Sequence, residues 1–291
     1  MKKFNPEEKL KKAKLTQSEI ENFHLEYLES KSIVGIDIYK YSEYKEGIQV
    51  YVPVLFNSIY ELTMKMCLSN EPFFFNNYGT KLSDFKDHFI STGDGGFQIF
   101  DNPFQSLLFC AYFELNIRRF NSGSYISTLN KNLFTIIDRI ELRYCLTYDK
   151  IICYDNNFYG AGIINNARIL AKDSLNRLLI DQNTLRWFEH NINTIENLSK
   201  INITDLSNIP IFKDSKKDSK SIFFANKTGN NNIRSLDILK IGNIISKNTN
   251  LNIYNLKIQF EISFDKEKGK FKKEYATFVF TLGNLNTQGI N

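Results

Sequence analysis

The chain has few of the residues on which several common kinds of site depend. Among its 291 residues are 3 His and 4 Cys, and no two Cys stand in a CxxC spacing. This scarcity argues against His-based catalysis, zinc sites and a disulfide framework, and it favours a reduced, cytoplasmic interior. No apolar run reaches the ~18 residues that cross a bilayer, and the Lys-rich start does not resemble a signal peptide. We therefore expect a soluble protein without a membrane partner.

Positive charge is too thinly spread for a nucleic-acid interface. The net charge is +5, and the Lys residues that produce it cluster in three separate stretches, residues 9–14, 213–220 and 266–273. A nucleic-acid-binding protein would gather such charges on one element, so we expect no nucleic-acid partner. With 42% apolar and 24% charged residues, the composition is typical of a globular protein with a sizeable core.

Two acidic residues in strand-like sequence carry the strongest functional signal. Residues 32–38 (SIVGIDI) are typical of an apolar strand that ends near Asp37, and residues 91–97 (STGDGGF) of a tight hairpin with Asp94 on the turn. We expect the hairpin glycines to supply positive φ angles. Alone, each signal fits an ordinary turn or a solvated strand end. Together, two carboxylates on neighbouring strands predict a site for divalent metal ions, since an Asp in an apolar strand is costly to bury without a partner or cation.

The order of elements predicts an α+β sandwich, with a mostly antiparallel sheet and helices packed on one face. An amphipathic helix is expected over residues 6–30, before the first strand. A helix is expected to begin at Pro103, where Asp101 or Asn102 can cap it. We also expect a hairpin between residues 140–147 and 150–154.

The last third of the chain differs in composition from the part before it. Residues 191–250 are polar and Asn-rich, which predicts irregular structure, whereas alternation over residues 251–282 predicts a β-hairpin. The predicted domains are an N-terminal helix (1–31), a main catalytic domain (32–190), and a polar linker with a C-terminal β-rich appendage (191–291).

Four stretches of the chain, in order, resemble the catalytic domain of class III nucleotidyl cyclases. Residues 35–42 (GIDIYKYS) resemble the family's first metal strand with its phosphate turn, and residues 91–97 resemble its second metal hairpin. Residues 142–147 (LRYCLT) are similar to the strand before the dimer-contact hairpin, and residues 159–170 (YGAGIINNARIL) to the turn and helix that bring a catalytic Arg. The resemblance covers residues 32–188 and is greatest to the pyrimidine cyclases of bacterial Pycsar antiphage systems.

The resemblance implies a metal site and a phosphate turn. Asp37 and Asp94 would hold two Mn²⁺ or Mg²⁺ ions, with the Ile38 carbonyl as a further ligand. The backbone amides from Tyr39 to Ser42 would bind the β- and γ-phosphates of a nucleoside triphosphate.

The resemblance also implies a homodimer with shared active sites. Arg168 would stabilise the charge on the α-phosphate across the dimer interface. The family places a ribose-orienting Asn four residues before that Arg, but Ile164 stands at this position here. Asn165 lies three residues before Arg168 and shares its helix face, so it is the expected substitute.

The positions that read the base in purine cyclases carry neither purine code. Ile90 stands where the family has Lys for adenine or Glu for guanine, and Asn157 stands at the second base-reading position. Ile90 offers no hydrogen bond, whereas the Asn157 amide offers a donor and acceptors. With Tyr39 and Tyr159 nearby, the pocket is expected to suit a pyrimidine.

The function implied by the resemblance is conversion of UTP to 3′,5′-cyclic UMP and pyrophosphate. In Pycsar defence this messenger activates a separate effector protein. Three alternatives stay open: a cytidylate cyclase acting on CTP, a purine cyclase with an altered base pocket, and an inactive domain that only binds a nucleotide. A GGDEF-type enzyme is disfavoured, because the hairpin of residues 93–96 contains one acidic residue where that signature has two adjacent ones.

Overall fold

The computed structural model describes most of the chain, namely residues 3–11, 15–78, 82–124, 127–213, 215, 221–224, 232–246, 249–268 and 272–290. The helices are α1 (Pro6–Leu10), α2 (Gln17–Asn22), α3 (Glu46–Gln49), α4 (Val52–Asn70), α5 (Leu82–Lys86), α6 (Pro103–Asn121), α7 (Thr128–Ile137), α8 (Ala161–Lys172), α9 (Gln182–Ile192) and α10 (Ile203–Leu206). The strands are β1 (Glu29–Ile38), β2 (Phe89–Ser91), β3 (Gly95–Phe100), β4 (Leu142–Tyr154), β5 (Asn157–Gly160), β6 (Leu178–Asp181), β7 (Ile233–Ser246), β8 (Thr249–Lys268) and β9 (Lys272–Leu282).

One mostly antiparallel sheet organises the fold. Its strands run in the order β2-β3-β1-β4-β6-β8-β7, with β5 paired to β4 and β9 paired to β8. β4 and β6 are parallel, and the other strand pairs in the described ranges are antiparallel. The predicted α+β class, a mostly antiparallel sheet with helices packed on it, is confirmed.

The two faces of this sheet are covered differently. On one face, Val34 and Ile36 of β1 are buried in the main core together with residues of α4, α6 and α9, and we call this the helical face. Alternate residues of β1 point the other way, toward a face covered by α8, which we call the α8 face. There α8 comes so close that a Cβ on Gly35 would lie 1.9 Å from the Asn166 side chain. The prediction of helices on one face only is therefore wrong.

The long helices follow their sequence signals. α6 begins at Pro103, and the Asn102 side chain accepts a hydrogen bond from the Gln105 amide at 3.1 Å, so the predicted start is confirmed. Nearly every residue of α6 is buried, including the polar Gln105, Ser106 and Glu114, because the helix is enclosed by the sheet and its neighbours. Among the described residues, no helix is both long and apolar enough to cross a membrane.

The predicted N-terminal helix over residues 6–30 is wrong. α2 starts after Thr16, whose side chain forms a capping box with Glu19, and a 3-10 helix follows from Phe23 to Tyr27. β1 already begins at Glu29. A capping box is a start signal, and it divides this stretch where the apolar spacing alone suggests continuity.

The predicted hairpin between residues 140–147 and 150–154 is also wrong. β4 is one strand from Leu142 to Tyr154, and the chain reverses at Asp155 and Asn156, with φ of 49° and 55°. Two consecutive residues with positive φ form the tight turn that suits a hairpin's twist, and Asp and Asn tolerate that conformation.

The polar stretch 191–250 is more ordered than its composition predicts. β7 occupies Ile233–Ser246 and pairs with β8 along its length, with register shifts near Ser235 and Gly242. These shifts interrupt the alternation that would reveal a strand. β8 also pairs with β6, so the C-terminal strands extend the same sheet. The domain boundary near residue 190 stays a prediction.

Candidate active site

The end of β1 and the β2–β3 hairpin bring two carboxylates to one place. Asp37 lies opposite Gly95 in the β1–β3 register, and the Ile38 amide donates to the Asp94 carbonyl at 3.3 Å. Asp37 and Asp94 interact electrostatically and line one open cleft. The sequence-based pairing of these two residues agrees with this geometry.

The glycines of the hairpin make this approach possible, although not all in the expected way. Gly93 has a φ of 101°, as a turn residue in the left-handed region. Gly95 and Gly96 are needed for space, because a Cβ on Gly95 would lie 2.1 Å from the Ile36 carbonyl oxygen. The expectation that the glycines act through positive φ therefore holds for Gly93 and is wrong for the other two.

A cation of the chain already sits beside Asp37. The Arg143 Nε donates to Asp37 Oδ2, and its Nη1 donates to the Asp173 carbonyl. Burial raises the pKa of the Asp37 carboxyl above its ordinary value; the Arg143 guanidinium opposes this rise, and the Asp94 carboxylate adds to it. Two carboxyl groups beside one guanidinium form a site that favours added positive charge.

The donor atoms at this site fit a hard divalent cation. Asp37, Asp94 and the Ile38 carbonyl offer oxygen ligands, which Mg²⁺ and Mn²⁺ prefer. No group of three or more His, Cys, Asp or Glu with metal-binding placement occurs among the described residues. A metal ion here would therefore complete its shell with water or with oxygens of a ligand, as nucleotide-bound Mg²⁺ does.

The turn after β1 presents free backbone donors to the same cleft. Lys40 has a φ of 59°, a left-handed conformation that is uncommon outside Gly, and a 3-10 helix follows from Tyr41 to Glu43. Within the described chain, the amides of Lys40, Tyr41 and Ser42 donate no hydrogen bond, whereas the Tyr39 amide donates to the Glu141 carbonyl at 2.9 Å. The expectation that the Tyr39 amide also binds phosphate is therefore wrong. Successive free amides in such a turn form a concave anion site. The cleft measures about 350 Å³ and is lined by Asp37, Ile38, Tyr39, Lys40, Tyr41, Ser42, Glu43, Asp94, Arg143 and Ser174.

The base-reading residues expected from the sequence lie outside this cleft. Ile90 packs in an apolar cluster on the α8 face with Phe158, a residue of β5. Asn157 is exposed on β5, and its Oδ1 accepts a hydrogen bond from the Phe158 amide at 2.9 Å. Tyr159 is 51% exposed, and its ring lies 6.4 Å from that of Tyr154. Among the expected base contacts, only Tyr39 lines the carboxylate cleft.

The two residues expected to act in catalysis lie on α8. Asn165 is 5% exposed, whereas Arg168 is partly exposed and makes no hydrogen bond or ion pair with a described residue. Neither residue lines the carboxylate cleft of the same chain. The helix is held by Asn166, whose Nδ2 donates to the Ile33 and Cys145 carbonyls at 3.0 and 2.9 Å.

Sequence reasoning missed Arg143, Asp173 and Asn166. Arg143 faces Asp37 in the β1–β4 register, although 106 residues separate them in the chain. A signal was present, since Arg143 is a charged residue in an apolar strand, as Asp37 is. Asn166 had no such signal, because its partners are backbone carbonyls of two strands.

Comparison with known proteins gives only distant structural likeness. No protein-family model matches the chain, and no curated protein matches it either. An adenylate/guanylate cyclase/hydrolase from Silicibacter pomeroyi is 12% identical, with 78% of this chain and 96% of that chain covered and a TM-score of 0.42. The adenylyl cyclase CyaB from P. aeruginosa is 10% identical, with 79% and 95% covered and a TM-score of 0.42. A guanylyl cyclase domain from Blastocladiella emersonii is 13% identical, with 56% and 84% covered and a TM-score of 0.37. Function is therefore inferred from the residues of this chain.

Proposed function

We propose that this chain is a pyrimidine nucleotide cyclase that converts UTP to 3′,5′-cyclic UMP and pyrophosphate. The observation that carries the proposal is the cleft in which Asp37 and Asp94 meet beside Arg143 and a turn of free amides. Carboxylates suited to cations, next to donors suited to phosphates, form a site for a metal-bound triphosphate.

In this proposal the chain's own groups bind and align the triphosphate. Asp37, Asp94 and the Ile38 carbonyl would hold the divalent ions, which supply Lewis acidity toward the 3′-hydroxyl and the phosphates when bound. The amides of residues 40–42 bind the terminal phosphates, and the Arg143 guanidinium, held between Asp37 and the Asp173 carbonyl, adds positive charge beside them. The 3′-oxygen forms a bond to the α-phosphorus as the bond to the leaving pyrophosphate breaks, and the hydroxyl proton passes to solvent.

The remaining cation comes from a second copy of the chain. Arg168 is unpaired within the described residues and lies outside its own cleft, as expected of a group that serves a partner's site. Its guanidinium would neutralise the charge that develops on the α-phosphate, and Asn165 would orient the ribose. A homodimer then contains two shared sites.

Because Asn157, Ile90 and Tyr159 lie outside the cleft of their own chain, they would reach the base from the second copy, as Arg168 would reach the α-phosphate. The orientation of the Asn157 amide supports uracil as the base. Since its Oδ1 accepts from the Phe158 amide and its NH₂ group bonds to no described residue, the NH₂ group remains as a donor for the base. A donor matches the O4 acceptor of uracil and does not match the N4 amino group of cytosine. Ile90 and Tyr159 supply apolar and aromatic walls without a polar partner for a purine edge.

The proposed biological role is that of a messenger-producing enzyme. Cyclic UMP would act as a second messenger that activates a separate effector protein in bacterial antiphage defence. This part of the proposal is supported by the resemblance of residues 32–188 to the Pycsar cyclases.

The deciding experiment offers the purified protein each of the four nucleoside triphosphates with Mn²⁺ and resolves the products by mass. We expect cyclic UMP from UTP, with Asp94→Asn as the inactive, isosteric control. Cyclic CMP as the main product would establish the cytidylate alternative, and a purine product would mean an altered purine pocket. No cyclic product from any nucleotide would contradict the proposed enzyme.

A further inference from the structure

A buried ion pair lies directly behind the carboxylate cleft. Arg177 and Asp173 are 1% and 2% exposed, and Arg177 Nη2 lies 2.9 Å from Asp173 Oδ1. Arg177 Nε donates to both carboxylate oxygens of Asp173, at 3.0 and 3.2 Å. Because two charges are expensive to remove from water, a fully enclosed pair of this kind needs further hydrogen bonds to persist.

The C-terminal segment supplies those further bonds. Arg177 Nη1 donates to the carbonyls of Asn286 and Gln288, at 3.0 and 2.7 Å. The same segment is tied to β8, since the Asn255 Nδ2 donates to the carbonyls of Asn284 and Asn286 at 2.9 and 3.1 Å. Residues 284–290 therefore cover Arg177 and satisfy its guanidinium.

The ion pair is connected to the cleft through the loop that follows α8. The Asp173 carbonyl accepts from Arg143, which in turn donates to Asp37. On the other side of Arg143, the Tyr144 amide donates to the Arg177 carbonyl at 2.9 Å. The loop from 173 to 177 thus holds both the side chain of Arg143 and the backbone next to it.

We propose that Arg177 is a positioning residue for the cleft, acting through Asp173 and Arg143 on Asp37, and that residues 284–290 hold it in place. This inference rests on the proposed function only in taking Asp37 and Asp94 as the cation-binding pair. With the Asp173 carbonyl engaged, Arg143 reaches Asp37 through Nε alone. Once released, its guanidinium can turn both edges to the Asp37 carboxylate and compete with a cation.

The test measures Mn²⁺ binding to the nucleotide-free full chain by electron paramagnetic resonance. Arg177→Lys keeps the charge opposite Asp173 and cannot span both carbonyls, so we expect Mn²⁺ binding weakened about tenfold. Asn255→Asp places a carboxylate against two carbonyls and detaches the C-terminal segment, with a similar expected loss. Asn250→Asp is the matched control on an exposed position of the same strand, and we expect it to bind Mn²⁺ as the parent does.

A double-mutant comparison with Arg143 shows whether Arg177 acts on the cleft by positioning Arg143 or by stabilising the fold in general. In an Arg143→Ala background, Arg177→Lys should leave Mn²⁺ binding unchanged, because its effect passes through the missing side chain. An unchanged affinity in Arg177→Lys, or an equal loss in both backgrounds, would overturn the proposal. If Arg177→Lys does not fold, Asn255→Asp in the two backgrounds decides in the same way.

Failure of the proposed cyclase function can be distinguished from failure of the positioning proposal. A protein that makes no cyclic nucleotide but binds Mn²⁺ in an Asp94-dependent manner leaves the positioning proposal to be decided by the same series. Mn²⁺ binding that Asp94→Asn does not alter would contradict the positioning proposal itself.

Discussion

The two faces of the sheet show how one fold separates stability from chemistry. On the helical face, aromatic residues of α4 and α6 pack against each other; the Phe109 ring of α6 lies 5.9 Å from the Tyr60 ring of α4, and the Phe113 ring lies 5.3 Å from that of Phe56. On the α8 face, the described residues that cover the sheet are those of α8 and of smaller apolar clusters, and Asp37 lies on this face one residue before the end of β1. Charged groups can lie at the thinly covered face because solvent and ligands reach it.

The largest expected effect is the loss of either carboxylate at the α8 face. Asp37→Ala and Asp94→Ala should each lower cyclase turnover at least about a thousandfold, because charge at the transition state loses its stabilisation. Both variants should still fold and unfold cooperatively, which circular dichroism on heating measures. Asp87→Ala, at an exposed position near the hairpin, is the control and should retain activity. Full turnover in either cleft variant would contradict the claim that the carboxylates of the α8 face perform the chemistry.

A core substitution on the helical face should lower stability and leave turnover nearly unchanged. Phe109 is fully buried, so Phe109→Ala should lower the free energy of unfolding by about 3–5 kcal/mol. Turnover per folded molecule, measured below the melting temperature, should change little. A variant that kept its stability and lost its turnover would mean that the helical face contributes directly to the chemistry.

The sequence predicted best those parts of the fold and site that depend on neighbouring residues in the chain. β1, the β2–β3 hairpin and the start of α6 depend on local signals, such as the Asn102 cap before Pro103, and the sequence predicted them. The expected proximity of Asp37 and Asp94 agrees with the structure, because Asp37 stands out in an apolar strand and Asp94 in a glycine turn between two strands. Their metal-binding role stays a prediction.

What the sequence could not reveal depends on distant partners. Nothing local tells that Arg143 faces Asp37 across a strand pair, or that carbonyls of residues 286 and 288 cover Arg177. The continuity of β4 and the presence of β7 were missed for a related reason. Pairing with neighbouring strands overrides weak local preference in both.

The helical face also contains a titratable group that should make stability depend on pH. Glu71 is fully buried and accepts hydrogen bonds from Tyr112 and from the amides of Ile222 and Phe223, at 2.8, 2.8 and 3.2 Å. Burial raises the pKa of its carboxyl from 4.5 to about 7. The folded state therefore holds a proton that the unfolded state releases, so stability should fall as pH rises through this window and level off above it.

The size of this effect follows from the pKa change. Relative to Glu71→Gln, the parent should lose up to about 3 kcal/mol of unfolding free energy between pH 4.5 and 7.5. Urea unfolding of both proteins across this range measures the difference. A constant difference between them would mean that the pKa of the Glu71 carboxyl is the same in the folded and unfolded states.

The smallest expected effect concerns the choice of base. Asn157→Ala should lower kcat/KM for UTP about tenfold and leave a poor rate with ATP nearly unchanged, since one hydrogen bond to the base is lost. Asn157→Asp keeps the acceptor for the Phe158 amide and removes the NH₂ donor, so it should show the same loss. Equal slowing with all four nucleotides would assign Asn157 to the shape of the β4–β5 turn.

The central claim is that Asp94 of one chain and Arg168 of its partner complete one site on the α8 face. The most direct measurement mixes inactive Asp94→Ala with inactive Arg168→Ala under conditions of proven subunit exchange and follows cyclic UMP formation. Recovery of part of the parent activity is expected, because the mixed dimer contains one intact site. No recovery despite exchange would contradict a site shared between two copies of the chain.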